Sequence, residues 1–158
     1  MNARPLVSIL IVTWNTRELT LRCLDSIPGS LDARIDYEVI IVDNGSIDGT
    51  ATALGTRRDL RVIENAHNLG FAAAVNQAYR SSSGELVLLL NSDIELDPGS
   101  LQVLVTFLSE HSDVAGVGPI YRNPDGSPQP FHFRFPTFAM TLANGLSLIH
   151  ISEPTRPY

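Results

Sequence analysis

With 158 residues, 44% of them hydrophobic and 18% charged, the chain is long enough for one domain with a sizeable core. A net charge of −6 and a pI of about 5.0, with no basic block, argue against sequence-independent nucleic-acid binding. A lone cysteine, Cys23, excludes an intramolecular disulfide and a cysteine-based zinc cluster, and its place in an apolar helical pattern reads as a small core residue.

The first apolar run, LVSILIVT at 6–13, is β-branched and continuous, as in a strand covered on both faces. Asn15, Arg17 and Glu18 follow it with no small-residue cleavage site, so it does not read as a secretory leader. No segment has the roughly 20 apolar residues that span a bilayer. Residues 16–27 carry Leu19, Cys23, Leu24 and Ile27 at helical spacing, with Pro28-Gly29 as the expected stop. YEVIIV at 37–42 is a second buried strand, ending in the turn cluster Asp43-Asn44-Gly45-Ser46. A short helix is expected near Asp48 and a third strand at 60–64. Residues 70–81 read as a helix with Phe71, Ala74, Val75 and Ala78 on one side and Ala72 to Ala74 allowing close packing. ELVLLL at 85–90 is a fourth strand. Asp97 and Pro98 predict the cap and first turn of a helix to about Glu110, and VAGVG at 114–118 a short strand. From about residue 119 the pattern changes to proline and aromatics, with Pro124-Asp125-Gly126 as the turn of a hairpin.

Alternating strands and helices predict an α/β fold: a Rossmann-like, mainly parallel sheet of order 3-2-1-4 with helices on both faces. Strands one and four then lie side by side at a switch point, where open α/β sheets bind ligands beyond their carboxyl ends. Thr13, Trp14 and Asn15, then Asp43, then Glu64 and Asn65, and finally Asn91 to Asp93 all fall at such ends.

In 87-VLLLNSDIEL-96, an apolar strand runs straight into acids. Carboxylates at a buried strand end are costly unless paired. A magnesium or manganese ion carrying a nucleotide diphosphate would pair them, with Asp93 best placed and Glu95, two residues on, facing the same side. Capping of the turn by Asn91 and Asp93 is an equal reading on spacing alone, and the strand before it tips the balance towards a site. Asp43 suits a ribose hydroxyl or a base N–H, or simply its own Asp-Asn-Gly turn. A dinucleotide fold would place glycines after strand one, where Thr13 to Arg17 has none, and no Walker A pattern occurs. In 65-NAHNLGFAAAVNQA-78, Gly70 permits close backbone approach, and Asn68 and Asn76 offer amides beside a helix start suited to phosphate, against the plainer reading of a capped helix. His67, His111, His132 and His150 show no metal-ligand spacing. Arg134 is a phosphate partner or a solvated cation.

Together VSILIVTWN, YEVIIVDNGSIDGT, ENAHNLGFAAAVNQA and GELVLLLNSDIEL, in this order, resemble family 2 glycosyltransferases of the GT-A fold, in particular the bacterial rhamnosyltransferase-like members. The resemblance covers about residues 6 to 136. It implies inverting transfer of a sugar, rhamnose among the candidates, from a nucleotide diphosphate sugar (dTDP- or UDP-linked) to a glycan or lipid-linked acceptor. It implies a divalent metal cofactor, Mg2+ or Mn2+, and a cytoplasmic protein meeting the inner membrane face at most peripherally. By the same resemblance Thr13, Trp14, Asn15, Asp43 and Asn44 contact the nucleoside, and Asn68, Gly70, Phe71 and Asn76 lie along the nucleotide. Asn91-Ser92-Asp93 stands as the DxD-type motif. Asn91 replaces the common aspartate there, so Asp93 carries most of the metal charge, with Asn91 and Glu95 as further candidate ligands.

The resemblance also implies a general base in an acidic motif well downstream. Asp113 and Asp125 do not match that motif, and the catalytic residue is left unassigned. Residues 147–158, SLIHISEPTRPY, continue no earlier pattern and resemble translated sequencing-adapter read-through. The expected organisation is a nucleotide-sugar-binding part over 1–146, cut short at its C-terminus, and a non-native tail. Such a fragment binds donor and turns over poorly. A nucleotidyltransferase and a non-catalytic fragment are the other readings, the first weakened by the lack of a glycine-rich basic loop near the N-terminus.

Overall fold

The computed structural model describes residues 6–123 and 125–129. Arg134, His132, His150 and the 147–158 tail lie outside the described residues. The chain divides into one unit ending at Gly118 and a second beginning at Pro119.

In the first unit, β1 (Val7–Thr13), β2 (Tyr37–Asp43), β3 (Leu60–Glu64) and β4 (Leu86–Asn91) form a parallel sheet of order β3-β2-β1-β4. The expected order holds. Side chains alternate across the sheet because the strand period is two. Val7, Ile9, Ile11, Val39 and Ile41 face one way, against Cys23, Leu24 and Ile27 of α1 (Arg17–Ser30), Leu54 of α2 (Thr50–Gly55), and Leu101 and Val105 of α4 (Ser100–Glu110). Leu10, Ile40 and Val42 face the other way, against Ala74 and Ala78 of α3 (Phe71–Ser81). Each buried aliphatic side chain contributes about 1.5–3 kcal/mol.

Four local expectations need correction. First, α1 does not stop at Pro28 but runs on to Ser30. Proline removes one N–H from the last turn, and tertiary contacts offset that loss: Ser30 is buried and the Gly29 carbonyl accepts the Gly99 N–H at 3.0 Å. The buried stripe of α1 also takes in Thr20, while Leu19 is exposed.

Second, of the expected α3 face Ala74 and Ala78 are buried and Val75 is half-buried, but Phe71 is exposed, and of the small residues Ala72 to Ala74 only Ala74 packs closely. Third, α4 begins at Ser100, because Asp97-Pro98-Gly99 forms a turn closed by Ser100 N–H to Asp97 O at 3.0 Å, with Gly99 at φ 73°. Fourth, residues 114–118 form no strand. Gly116 and Gly118 provide no side chain to pack, and among the described residues nothing pairs with the outer edge of β4.

The second unit contains an antiparallel pair, β5 (Tyr121–Arg122) and β6 (Pro128–Gln129), around a turn with Gly126 at φ 82°.

Candidate functional site

Three loops follow the carboxyl ends of β1, β2 and β4, and they are tied to one another by polar side chains. After β1, Thr13 is buried, and its hydroxyl lies 3.0 Å from that of Thr16 and 2.8 Å from that of Thr20. Thr16 Oγ1 is in turn 3.2 Å from Ser92 Oγ. A run of hydroxyls therefore connects β1, the start of α1 and the loop after β4. Thr13 and Ser92 are candidates from the sequence, whereas Thr16 and Thr20, which link them, are not singled out by it.

Asn15 stands at φ 54°, a left-handed conformation that asparagine tolerates better than most residues. Its Oδ1 accepts the Ile47 N–H at 2.8 Å, and its own N–H donates to Ser46 Oγ at 2.9 Å. Asp48 Oδ2 accepts the Arg17 N–H at 2.9 Å and so caps α1 from a distant loop. Hydrogen bonds, first that from Thr50, hold the Asp48 carboxyl below the usual range. The loops after β1 and β2 thus form one clasped unit. Trp14 stands out of it, 52% exposed.

Asp43 is only 2% exposed, and its Oδ1 accepts both the N–H and the hydroxyl of Ser46. Beside it Asn44, also 2% exposed, anchors an amide network. Its orientation follows from fixed partners. The Leu69 N–H can only donate, so the atom 3.1 Å from it is Oδ1; the Gly70 carbonyl can only accept, so Nδ2 faces it at 3.5 Å. Nδ2 also donates to Asn68 Oδ1 at 2.8 Å, and Oδ1 accepts from Asn65 Nδ2 at 3.0 Å. Asn65 and Gln77 then exchange a reciprocal pair at 2.9 and 3.0 Å. Asn68 Oδ1 also takes the Gly70 N–H at 2.8 Å, so this oxygen is already engaged twice. Gly45 makes the close approach of the two loops possible: at φ 81°, a Cβ there would lie 2.7 Å from the His67 Cα. Phe71 and Asn76 are exposed on α3.

The loop after β4 departs from expectation in its burial. Asn91, Asp93 and Glu95 are exposed, and β4 is only half-buried, with Val87 and Leu89 open. The carboxylates therefore pay no large desolvation penalty, and the need for a pairing cation inferred from a buried strand end disappears. Glu95 is held by Arg22, Nε to Oε1 at 3.3 Å. Cys23 lies beneath this loop; burial first, then the charges of Asp93 and Glu95, push its thiol up to about 12. It is the inert core thiol that its pattern predicted.

Among the described residues no group of three His, Cys, Asp or Glu side chains could cage a metal. The donors still fit a hard cation of one kind. Magnesium-type ions use one or two carboxylates and take their other oxygens from water and substrate phosphates, and Asp93 is an exposed carboxylate of that sort. A groove of about 660 Å³ between α1 and α2, lined by Arg17, Thr52, Thr56 and Arg57, lies elsewhere. Arg57 there is already paired with Asp25 and Asp59.

The family model for Glycosyl transferase family 2 matches residues 8–157. The chain belongs to that family. One curated relative, the N-acetylglucosaminyl-diphospho-decaprenol L-rhamnosyltransferase of Mycobacterium tuberculosis, is 30% identical over 142 residues, or 82% of this chain and 45% of the relative. The chain thus spans less than half the length of that protein. Among solved structures, S. aureus TarS 1-349 superimposes with a TM-score of 0.61 at 26% identity, over 67% of this chain and 33% of that one. TarS has also been solved in complex with UDP-GlcNAc. The mannosyltransferase PcManGT from Pyrobaculum calidifontis, in complex with GDP-Man and Mn2+, gives a TM-score of 0.60 at 31% identity, over 68% of this chain and 33% of that one. These likenesses agree with the GT-A expectation and with the sheet order described above.

Proposed function

We propose that this chain is the donor-binding part of an enzyme that transfers a sugar from a nucleotide diphosphate sugar to a glycan or lipid-linked acceptor with inversion. The observation that carries the reading is the meeting of the Thr13–Asn15, Asp43–Asn44 and Asn91–Asp93 segments at one end of the sheet, in a member of glycosyl transferase family 2.

The clasped loops supply the nucleoside pocket. Asp43, braced by Ser46, accepts from a ribose hydroxyl or base N–H, and Trp14 and Phe71, both exposed, offer rings to the nucleotide. Asn44 acts mainly by holding Asn68 and Gly70 in place along the nucleotide. Asp93 would hold a divalent ion there, with Asn91 as a further candidate ligand, and the ion would supply charge neutralisation to the diphosphate; Glu95, already paired through Oε1 with Arg22, is the weaker candidate. A bound Mg2+ or Mn2+ would offset the charge that develops on the diphosphate leaving group. We assign the general base to none of the described residues, and expect these 158 residues to bind donor but turn over poorly.

The likeness to an L-rhamnosyltransferase supports rhamnose as the sugar, and the likeness to TarS, solved with UDP-GlcNAc, supports a UDP-linked donor; a dTDP-sugar is the other donor we propose. Among the described residues no helix is long and apolar enough to cross a membrane. We place the enzyme in the cytoplasm, meeting a lipid-linked acceptor at the inner membrane face.

Calorimetric titration of UDP, dTDP and GDP, with and without Mn2+, on the native chain and on Asp93→Ala tests the reading. Metal-dependent binding that Asp93→Ala abolishes is the expected result. Equal binding by both chains would remove Asp93 from the site, and no binding by the folded native chain would refute donor binding by this part.

A further inference from the structure

The segment from Asn91 to Gly99 has little structure of its own. It contains two backbone bonds, Ile94 N–H to Asn91 O at 3.3 Å and, at its end, Ser100 N–H to Asp97 O at 3.0 Å. It also carries three carboxylates, Asp93, Glu95 and Asp97, whose mutual repulsion favours spreading. Yet α1 holds it along its whole length. Thr16 meets Ser92 at 3.2 Å, and Arg22 meets Glu95 at 3.3 Å. The Cys23 thiol faces the Asn91 carbonyl at 3.6 Å. Ser26 Oγ accepts the Leu96 N–H at 3.0 Å, and the Gly29 carbonyl accepts that of Gly99 at 3.0 Å.

We propose that this face of α1 is a splint that sets the register of the acidic loop, and that Ser26 is its positioning residue for the diphosphate site. The inference rests on the donor-site reading of Asp93.

Ser26 is suited to the task. Its one hydroxyl proton is spent within the helix, donated to the Cys23 carbonyl at 2.6 Å. The oxygen is therefore left as a pure acceptor, aimed out of the helix at Leu96 N–H. That bond fixes an alternating strap in which Ile94 and Leu96 pack onto the core while Asp93 and Glu95 face outward. With a period of two, a slip of one residue would turn the acids inward and the aliphatics out. The Leu96 anchor blocks that slip, so Asp93 is presented outward before any ligand arrives. Preorganisation of this kind is repaid as affinity only for the group that Asp93 engages, not for the nucleoside.

The test compares the native chain with Ser26→Ala and Ser26→Thr, which keeps the hydroxyl. Amide hydrogen exchange is read at Leu96, and calorimetry with UDP is run with and without Mn2+. In Ser26→Ala, Leu96 exchange should rise and the Mn2+-dependent gain in UDP affinity should fall, each roughly five- to tenfold, the worth of one hydrogen bond. UDP affinity without metal should stay as it was, the thermal midpoint should hold, and Ser26→Thr should restore native behaviour. Unchanged Leu96 exchange overturns the splint. Equal losses with and without metal, or a native Mn2+ gain in Ser26→Ala, overturn the positioning role. No UDP binding by the native chain would instead sink the donor-site reading and with it the diphosphate role, while a faster Leu96 amide in Ser26→Ala would still mark the loop as pinned.

Discussion

Asn44→Ala separates a bracing role from a ligand contact. The native amide makes three bonds of 2.8 to 3.1 Å and a fourth at 3.5 Å, and the residue is 2% exposed. A net hydrogen bond contributes about 0.5–1.5 kcal/mol, and a buried group left without a partner costs about 1–3 kcal/mol. Leu69, Asn68 and Gly70 are exposed and can turn to water, and Asn65 keeps its exchange with Gln77, so few orphans remain. Three good bonds at about 1 kcal/mol each, plus a small cavity, give a loss of roughly 2–4 kcal/mol. Urea unfolding should show it as a lower midpoint at unchanged m. Asn44→Asp should cost more still, because an oxygen would replace Nδ2 against the Asn68 and Gly70 oxygens. Asn76→Ala, at an exposed position on α3, should stay within about 0.5 kcal/mol. If Asn44→Ala unfolds within about 0.5 kcal/mol of the native chain, the network is not a brace and the reasoning fails.

Three further perturbations check other parts of the structure. Burial first, then Asp93 and Glu95, push the Cys23 thiol up to about 12, so a disulfide reagent at pH 8 should label it only as fast as the chain unfolds; prompt labelling of the folded chain would contradict its burial. Burial disfavours ionised Glu38, but hydrogen bonds from Ser8 and Ser83 and the charge of Arg61 outweigh it and lower its pKa. Its contribution is therefore complete above the ordinary value of 4.5 and is lost as pH falls through the lowered one. Glu38→Gln should flatten the acid limb of a stability-against-pH curve, and an unaltered limb would deny Glu38 that part. Among glycines, Gly84→Ala would set a Cβ 2.6 Å from Ser8 N and should cost about 2 kcal/mol or more, whereas Gly29→Ala, in α1 with nothing within 4 Å, should stabilise by about 0.5–1 kcal/mol; thermal melts of both would expose an error in either sign.

The strands were legible because burial on both faces leaves a continuous apolar run, and β1 and β2 have that environment. The handedness of crossovers, a rule about chain paths that needs no side-chain detail, narrowed the sheet orders, and the favoured order 3-2-1-4 is the one observed. Punctuation was less legible. Pro28-Gly29 carries a stop signal, but a stop is a local preference worth a few kcal/mol, and the Gly99 contact and buried Ser30 override it. VAGVG looks like a strand until one asks what it would pair with. Hydroxyls and amides were the least legible. Ser92 reaches the locally linked Thr13, Thr16 and Thr20 only because β1 and β4 are neighbours, and Asn65 reaches Asn44 only because β2 and β3 are. The long separations of 76 and 21 residues that join them carry no period, so a pattern search does not find those links.

The acids after β4 show how a sound rule can be applied to the wrong environment. Burying an unpaired carboxylate is costly, and VLLLNSDIEL reads as a buried strand meeting carboxylates. In the structure β4 is the outer described strand, Val87 and Leu89 are open, and Asp93 is exposed. The penalty that would have demanded a counter-ion is therefore small. What sets these acids apart from an ordinary solvated turn is the constraint on them. An unconstrained acidic loop would relax away from its own charges, yet this one is held against α1 by Arg22, Cys23, Ser26 and Gly29. Arg22 offsets the charge of Glu95 and the acids stay exposed, so the restraint leaves the Asp93 carboxylate presented to solvent at little cost. A cation arriving with a diphosphate would find that carboxylate already in place, which ties the restraint of the loop, rather than its burial, to the metal dependence that Asp93→Ala and Ser26→Ala are expected to change.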